Sequence, residues 1–219
     1  LPELEQYVLH RLYCLNNNFK KYFRNYDFHN LYKELLNFCT VDLSAFYFDI
    51  RKDALYCDPK NSKKRKSTII LLNVILNCLL KWFAPILSFT TEEIYRLIFK
   101  DSKSIHLEKF LEFPEKFQNE SLNNKWLELI KIRDICNISI EEKRASKEIG
   151  SSLEAELRIE INHKLKELTK DIDFSELCIT SKAHVDYTDK DTTVITKKAK
   201  GIKCPVCWKI SESPCPRHS

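Results

Sequence analysis

Three cysteines and a histidine crowd the end of the chain. The string Gly201-Ile202-Lys203-Cys204-Pro205-Val206-Cys207-Trp208 is followed, after six intervening residues, by Cys215-Pro216-Arg217-His218. A Cys-x2-Cys knuckle aims two thiolates at one point, and Cys215-x2-His218 supplies a second such pair. Cys204, Cys207, Cys215 and His218 are therefore the candidate ligands of a closed tetrahedral zinc site. Four protein ligands leave no position for water or substrate, so the expected metal is structural. A redox Cys-x2-Cys is the rival reading, but the flanking residues lack the strand and helix setting of thioredoxin-like motifs. The fourth ligand stays open between His218, water and a residue such as His184 brought in by folding.

Trp208, with Lys203 and Lys209 close by, is the best stacking candidate, because a short metal module has little interior in which to bury an indole. Lys63-Lys64-Arg65-Lys66 offers phosphate contacts, with a solvated loop as the bland alternative. Phe46, Tyr47, Phe48, Arg51, Lys52 and Tyr56 mix rings with cations in a way that suits bases and phosphates, although most of those rings are expected in the core. No catalytic constellation is visible: there is no Gly-framed serine, no His-x3-His pair and no matched pair of carboxylates.

These residues need elements to position them. The 219 residues are 43% apolar and 31% charged, which is enough for a large buried core. Only two glycines are present, too few for the turns and phosphate loops of a doubly wound nucleotide-binding fold, and a Rossmann or P-loop enzyme is excluded. Of nine cysteines, Cys14, Cys39, Cys57, Cys78, Cys136 and Cys178 are scattered among apolar positions and read as reduced thiols. From Lys190 onward seven basic residues face two acidic ones, which accounts for the whole net charge of +5. The apolar run Thr68 to Leu80, broken by Asn73 and Asn77, is shorter than the roughly 20 residues of a membrane span, so no membrane partner is expected. There is no Met and no signal-like start, and the chain reads as a fragment of a longer protein.

Leu4, Val8, Leu12, Leu15, Phe19 and Phe23 recur at steps of three and four, predicting a helix over residues 3–24. Asp27 is placed to cap a second, running through Phe28, Leu31, Leu35, Phe38 and Val41 toward Phe46 and Ile50, with a kink near Asp42. A third helix is expected from Ser67 to Phe83, stopped by Pro85, and a fourth behind Thr90-Thr91-Glu92-Glu93. Residues 100–120 read as irregular, and a fifth helix over 121–147 closes the bundle. After Gly150, strands are expected at Ala155 to Ile161, Leu177 to Thr180 and Thr192 to Thr196, with a helical segment near Asn162 to Leu168. The fold class is thus mainly α, an antiparallel helix bundle (1–148) followed by a small α+β module (149–200) and a zinc-binding tail (201–219).

The strings Leu4 to Leu12, Tyr26 to His29, Asn37 to Cys39, Val41 to Asp58, Trp82 to Tyr95, Ile149 to Ala155 and Lys203 to Trp208, in that order, resemble the C-terminal part of bacterial-type isoleucyl-tRNA synthetases, which belong to class I. The resemblance spans almost the whole chain. It implies that the bundle is an anticodon-binding domain and the tail a zinc-bearing appendage that helps hold tRNA. Cys204, Cys207, Cys215 and His218 then correspond to the zinc ligands, although the family more often has a fourth Cys and a longer spacer. Trp208 matches an aromatic that contacts the anticodon region, and Lys203, Lys209, Arg51, Lys52, Lys64 and Arg65 are the accompanying candidate tRNA contacts. The implied partners are an isoleucine tRNA and the catalytic domain of the same parent chain, in the cytoplasm. ATP belongs to that absent domain, since HIGH-like and KMSKS-like motifs and an editing domain are missing here. The corresponding part of a valyl, leucyl or methionyl enzyme, and a zinc-containing helical interaction scaffold, are the alternatives.

Overall fold

The structure, a computed structural model, describes residues 1–100, 103–215, 217 and 218. Asp101 and Ser102 of the stretch expected to be irregular, and Pro216 of the terminal ligand string, lie outside the described residues. Two compact units are present, one formed by Leu1–Leu55 and Pro59–Glu120, the other by Tyr56–Asp58 and Ser121–Ser219.

The first unit is a helical bundle. Helix α1 (Glu3–Arg24) buries Leu4, Val8, Leu12, Leu15 and Phe19, the stripe that its three-four spacing requires. Asp27 caps α2 (Phe28–Asn37) by accepting the Asn30 N–H. No break follows: α2 passes through a π-helical segment, Phe38–Phe48, into α3 (Asp49–Cys57). The expected kink is therefore a local widening of one continuous helix, which turns Leu43, Phe46 and Tyr47 into the core and brings Asp42 within 2.9 Å of Arg11.

Helix α4 (Lys63–Phe83) starts four residues before the expected Ser67, because Ser62 caps it by accepting the Arg65 N–H. The lysine run is its first turn and not a loop. Asn73 and Asn77, which interrupt the apolar run but not the expected helix, donate their side-chain amides to the carbonyls of Ile69 and Asn73 one turn back. By length and composition α4 is consequently long and apolar enough to cross a membrane, with a mean hydropathy of 1.4 over its best window, which corrects the estimate from the run length. In this fold it packs on α1 and on α5 (Ser88–Ile98) and buries Leu71, Ile75, Cys78, Leu80 and Trp82. Helix α5 begins two residues before the expected cap; Thr91 lies inside it and bonds back to the Leu87 carbonyl at 2.9 Å.

The bundle core holds a charged network centred on Glu5. The Glu5 carboxylate accepts from Arg51 Nε at 2.6 Å and Nη2 at 2.8 Å, and from the Tyr47 and Thr68 hydroxyls at 3.3 Å each. Sequence spacing gives Glu5 no special mark, yet it is fully buried.

In the second unit, α6 (Glu120–Ala145) groups from Ser121 onward with the strands that follow it. Its buried Arg133 donates to the Leu177 carbonyl at 2.9 Å, and Ser139 bonds the Thr196 hydroxyl at 2.7 Å. Strands β1 (Ala155–Asn162), β2 (Lys182–Thr188) and β3 (Thr193–Lys198) form a sheet in the order β2-β1-β3, with β1 parallel to β2 and antiparallel to β3. Ala155, Leu157, Ile159 and Ile161 fill its inner face, and between β1 and β2 the chain forms the short helices α7 (Lys166–Thr169) and α8 (Phe174–Leu177). The strand expected over Leu177 to Thr180 is absent: Leu177 ends α8, and Ile179 adopts a left-handed turn at φ 57°. The chain closes with a hairpin of β4 (Ile202–Lys203) and β5 (Ile210–Ser211), entered at Gly201. Gly201 has φ 124°, and an added Cβ would stand 2.2 Å from the Ser211 carbonyl oxygen, so only glycine fits.

Candidate metal centre

The tip of the β4–β5 hairpin is the Cys204–Cys207 knuckle. Its turn is closed by Trp208 N–H donating to the Cys204 carbonyl at 3.0 Å and by Cys204 N–H donating to the Lys209 carbonyl at 2.9 Å. Backbone N–H groups of Cys207 and Val206 also point at the Cys204 sulfur and pull its pKa down to about 6. The Arg217 N–H lowers Cys215 in the same way, while burial pushes Cys207 up to about 11. Main-chain donors thus favour the thiolate form at two of the three thiols.

The ligand atoms of Cys204, Cys207, Cys215 and His218 all lie within 4.8 Å of one another. Cys207 Sγ is 3.8 Å from Cys215 Sγ, and His218 Nδ1 is 3.5 Å from Cys204 Sγ and 3.4 Å from Cys215 Sγ. A tetrahedral ion bonded to sulfur at about 2.3 Å and to nitrogen at about 2.0–2.1 Å requires separations of about 3.8 Å and about 3.5 Å for those two kinds of pair. The donor set therefore matches a zinc-sized tetrahedral cavity. His218 Nε2 stands 2.9 Å from the Cys57 carbonyl, which can only accept. That contact puts the ring proton on Nε2, raises the ring's pKa, and leaves the Nδ1 lone pair facing the sulfurs. His184, the sequence alternative, is outside the cluster and pairs with Glu156 at 3.2 Å across the sheet.

A second group, His10, Cys14 and Glu120, also lies within 4.8 Å in the first unit. Here the His10 Nδ1 accepts the Asn119 N–H at 2.9 Å, so Nε2 carries the proton and faces the Cys14 sulfur at 3.6 Å. Burial lowers the His10 pKa and keeps the ring neutral. Neither nitrogen offers a metal a lone pair, and the group is a hydrogen-bonding cluster.

The other candidates divide by environment. Trp208 is 59% exposed, held at φ 63° by the knuckle, with Lys203 Nζ 5.9 Å from its ring centre. Lys209 is half-buried on the same hairpin. In the first unit Lys52 is exposed and pairs with Asp49 at 2.5 Å, and Lys64 and Arg65 are half-buried in the opening turn of α4. Arg51 corrects the sequence expectation: it is buried, its guanidinium holds Glu5 in two-pronged fashion, and it belongs to the core and not to an RNA-facing surface.

Residues 5–161 match the family model described as the anticodon-binding domain of tRNA ligase. The chain belongs to this anticodon-binding family. Over its whole length it is also similar to isoleucine–tRNA ligases: 70% identical over 220 residues to that of Pelagibacter ubique strain HTCC1062, covering 24% of that relative. To the isoleucine–tRNA ligase of Agrobacterium fabrum strain C58 it is 40% identical over 223 residues, 96% of this chain and 23% of the relative. For Bartonella henselae strain Houston 1 the figures are 39% over 224 residues, 97% and 23%. The chain spans about a quarter of the length of the curated relatives it matches. The fold class expected from sequence, a helical bundle followed by a small α+β module, agrees with this family and with the structure. What the sequence missed is the contribution of the Cys57 carbonyl, which no spacing rule links to a histidine 161 residues later.

Proposed function

We propose that this chain is the tRNA-gripping part of an isoleucine–tRNA ligase, holding isoleucine tRNA at its anticodon end. The observation that carries the reading is identity along the full chain to isoleucine–tRNA ligases, within an anticodon-binding family. By function, we divide it into an anticodon-binding part (1–148), a small module (149–200) and a metal-held tail (201–219). Trp208 offers a face on which an unpaired base can stack, and Lys203, Lys209, Lys52, Lys64 and Arg65 supply phosphate contacts. Arg51 is excluded because its guanidinium is engaged in the core.

The metal we assign is zinc, held by the sulfurs of Cys204, Cys207 and Cys215 and by Nδ1 of His218. When bound it supplies a structural cross-link and no chemistry. The parent enzyme, in this reading, is cytoplasmic, works without a membrane, and joins isoleucine to its tRNA through an ATP-formed adenylate in a catalytic part outside these residues. Binding energy gathered at the anticodon end then helps to place the acceptor end for that remote step.

The test is the affinity of the chain for isoleucine tRNA and for the same tRNA with a changed anticodon, at several salt concentrations. Preference for the natural anticodon should persist as salt rises, because base contacts do not depend on counterion release. Equal affinity for both would favour the interaction-scaffold reading, and preference for a valine, leucine or methionine tRNA would favour a sibling enzyme.

A further inference from the structure

The metal cluster does not close on its own hairpin. Its second ligand pair reaches back to the two residues that end and follow α3. The Cys57 carbonyl receives the His218 Nε2–H at 2.9 Å, and the neighbouring Asp58 carboxylate pairs with the Arg217 guanidinium. Asp58 is 16% exposed and Arg217 30% exposed, so the pair is partly shielded from water. Arg217 lies between Cys215 and His218 in sequence, and its own N–H is directed at the Cys215 sulfur. Fixing its side chain therefore also fixes the main-chain donor that supports one thiolate. The thiol of Cys57 points elsewhere, to the Val206 carbonyl at 3.7 Å, and is not among the clustered ligands.

We propose that Cys57 and Asp58 form a clasp that positions the Cys215–His218 ligand pair, the Cys57 carbonyl by selecting the histidine tautomer and the Asp58 carboxylate by anchoring Arg217. The inference rests on the metal reading above. A histidine ligand commonly donates its second N–H to a carbonyl or carboxylate, and removing such outer partners weakens metal binding about 10–100-fold. Here the outer partner is contributed by a residue 161 positions earlier in the chain, so the tail cannot be completed by the final hairpin alone. Asp58 and Arg217 are positioning residues; neither is among the clustered ligand residues.

The experiment is competition for zinc between the 219-residue chain and a chelator, together with cobalt(II) absorption spectra. Asp58→Asn and Arg217→Gln should each weaken zinc binding about 10-fold or more, and the double variant should lose no more than either alone. With cobalt(II), both singles should retain the thiolate charge-transfer bands while the ligand-field bands shift as Nδ1 loses its fixed place. Cys57→Ala, which keeps the carbonyl, should bind zinc as the unmodified chain does. The clasp is overturned if both single variants bind zinc within about twofold of the unmodified chain, or if the double variant's loss is the product of the two. Arg217→Gln, at the exposed end, keeps the test valid should Asp58→Asn disturb the end of α3. An unmodified chain that binds neither zinc nor cobalt(II) would overturn the metal centre itself, an outcome distinct from tight binding that ignores Asp58.

Discussion

Glu5 and Cys204 both carry acidic side chains, and the molecule fixes them in different ways. In the bundle, Glu5 is enclosed by α1, α3, α4 and the π-helical segment, and its charge is met by one guanidinium and two hydroxyls. Elsewhere in the same bundle core Leu12, Leu15, Phe19, Leu31, Leu35 and Trp82 are almost fully buried. In the terminal hairpin, strands β4 and β5 are two residues each, and Ile202, Val206 and Trp208 are exposed. Little apolar area is buried there, and the thiols are oriented by backbone N–H groups toward a common point. The contrast is between a core that tolerates a buried charge because packing surrounds it and a tail that, in the proposed zinc reading, is ordered by its charge centre.

That contrast can be broken at either end. Chelation, or Cys204→Ser, should have the largest effect: structural zinc in small modules contributes about 10–16 kcal/mol of apparent binding energy. The expected signature is loss of amide protection confined to the hairpin, with helical circular dichroism unchanged; an ordered hairpin without metal would remove the distinction. Next, Arg51→Ala should destabilise the bundle by about 3–5 kcal/mol, since it leaves the Glu5 carboxylate buried without its cation. Urea denaturation of the helical signal measures this, and zinc content should stay the same. A smaller effect is expected from Trp208→Ala, a loss of about 1–3 kcal/mol in tRNA affinity at fixed salt with bundle stability unaltered. Unchanged affinity would take the indole out of the grip. Last, Ser62→Ala should cost about 1 kcal/mol of bundle stability by releasing the first turn of α4, and should leave the metal untouched.

Much of this was legible in the residues. The three-four spacing of α1 placed its buried face correctly, and Asp27 caps α2 as its type and position require. The knuckle spacing brought out the same four ligand residues that cluster in the structure. Legibility failed where a polar residue had two uses. Asn73 and Asn77 read as interruptions of an apolar run too short to cross a membrane, but within α4 their amides bond back one turn, and the whole helix is long and apolar enough. Arg51 read as a phosphate contact because arginine on a helix is usually solvated; only the partner at Glu5, 46 residues earlier, makes it a core residue. The polar alternation of β2 gave no strong strand signal, and its pairing with β1 supplies what its composition does not.

Local order along the chain, helix faces, caps and the paired candidate ligands of the knuckle, was determined by the sequence itself, because spacing of three, four or two residues acts over distances that neighbouring residues control. The Glu5–Arg51 pairing, the exclusion of His184 from the cluster and the recruitment of Cys57 and Asp58 to His218 and Arg217 were decided by tertiary structure alone. Each depends on a contact between residues far apart in the chain, and the energy of such a contact exists only once the elements carrying them have packed.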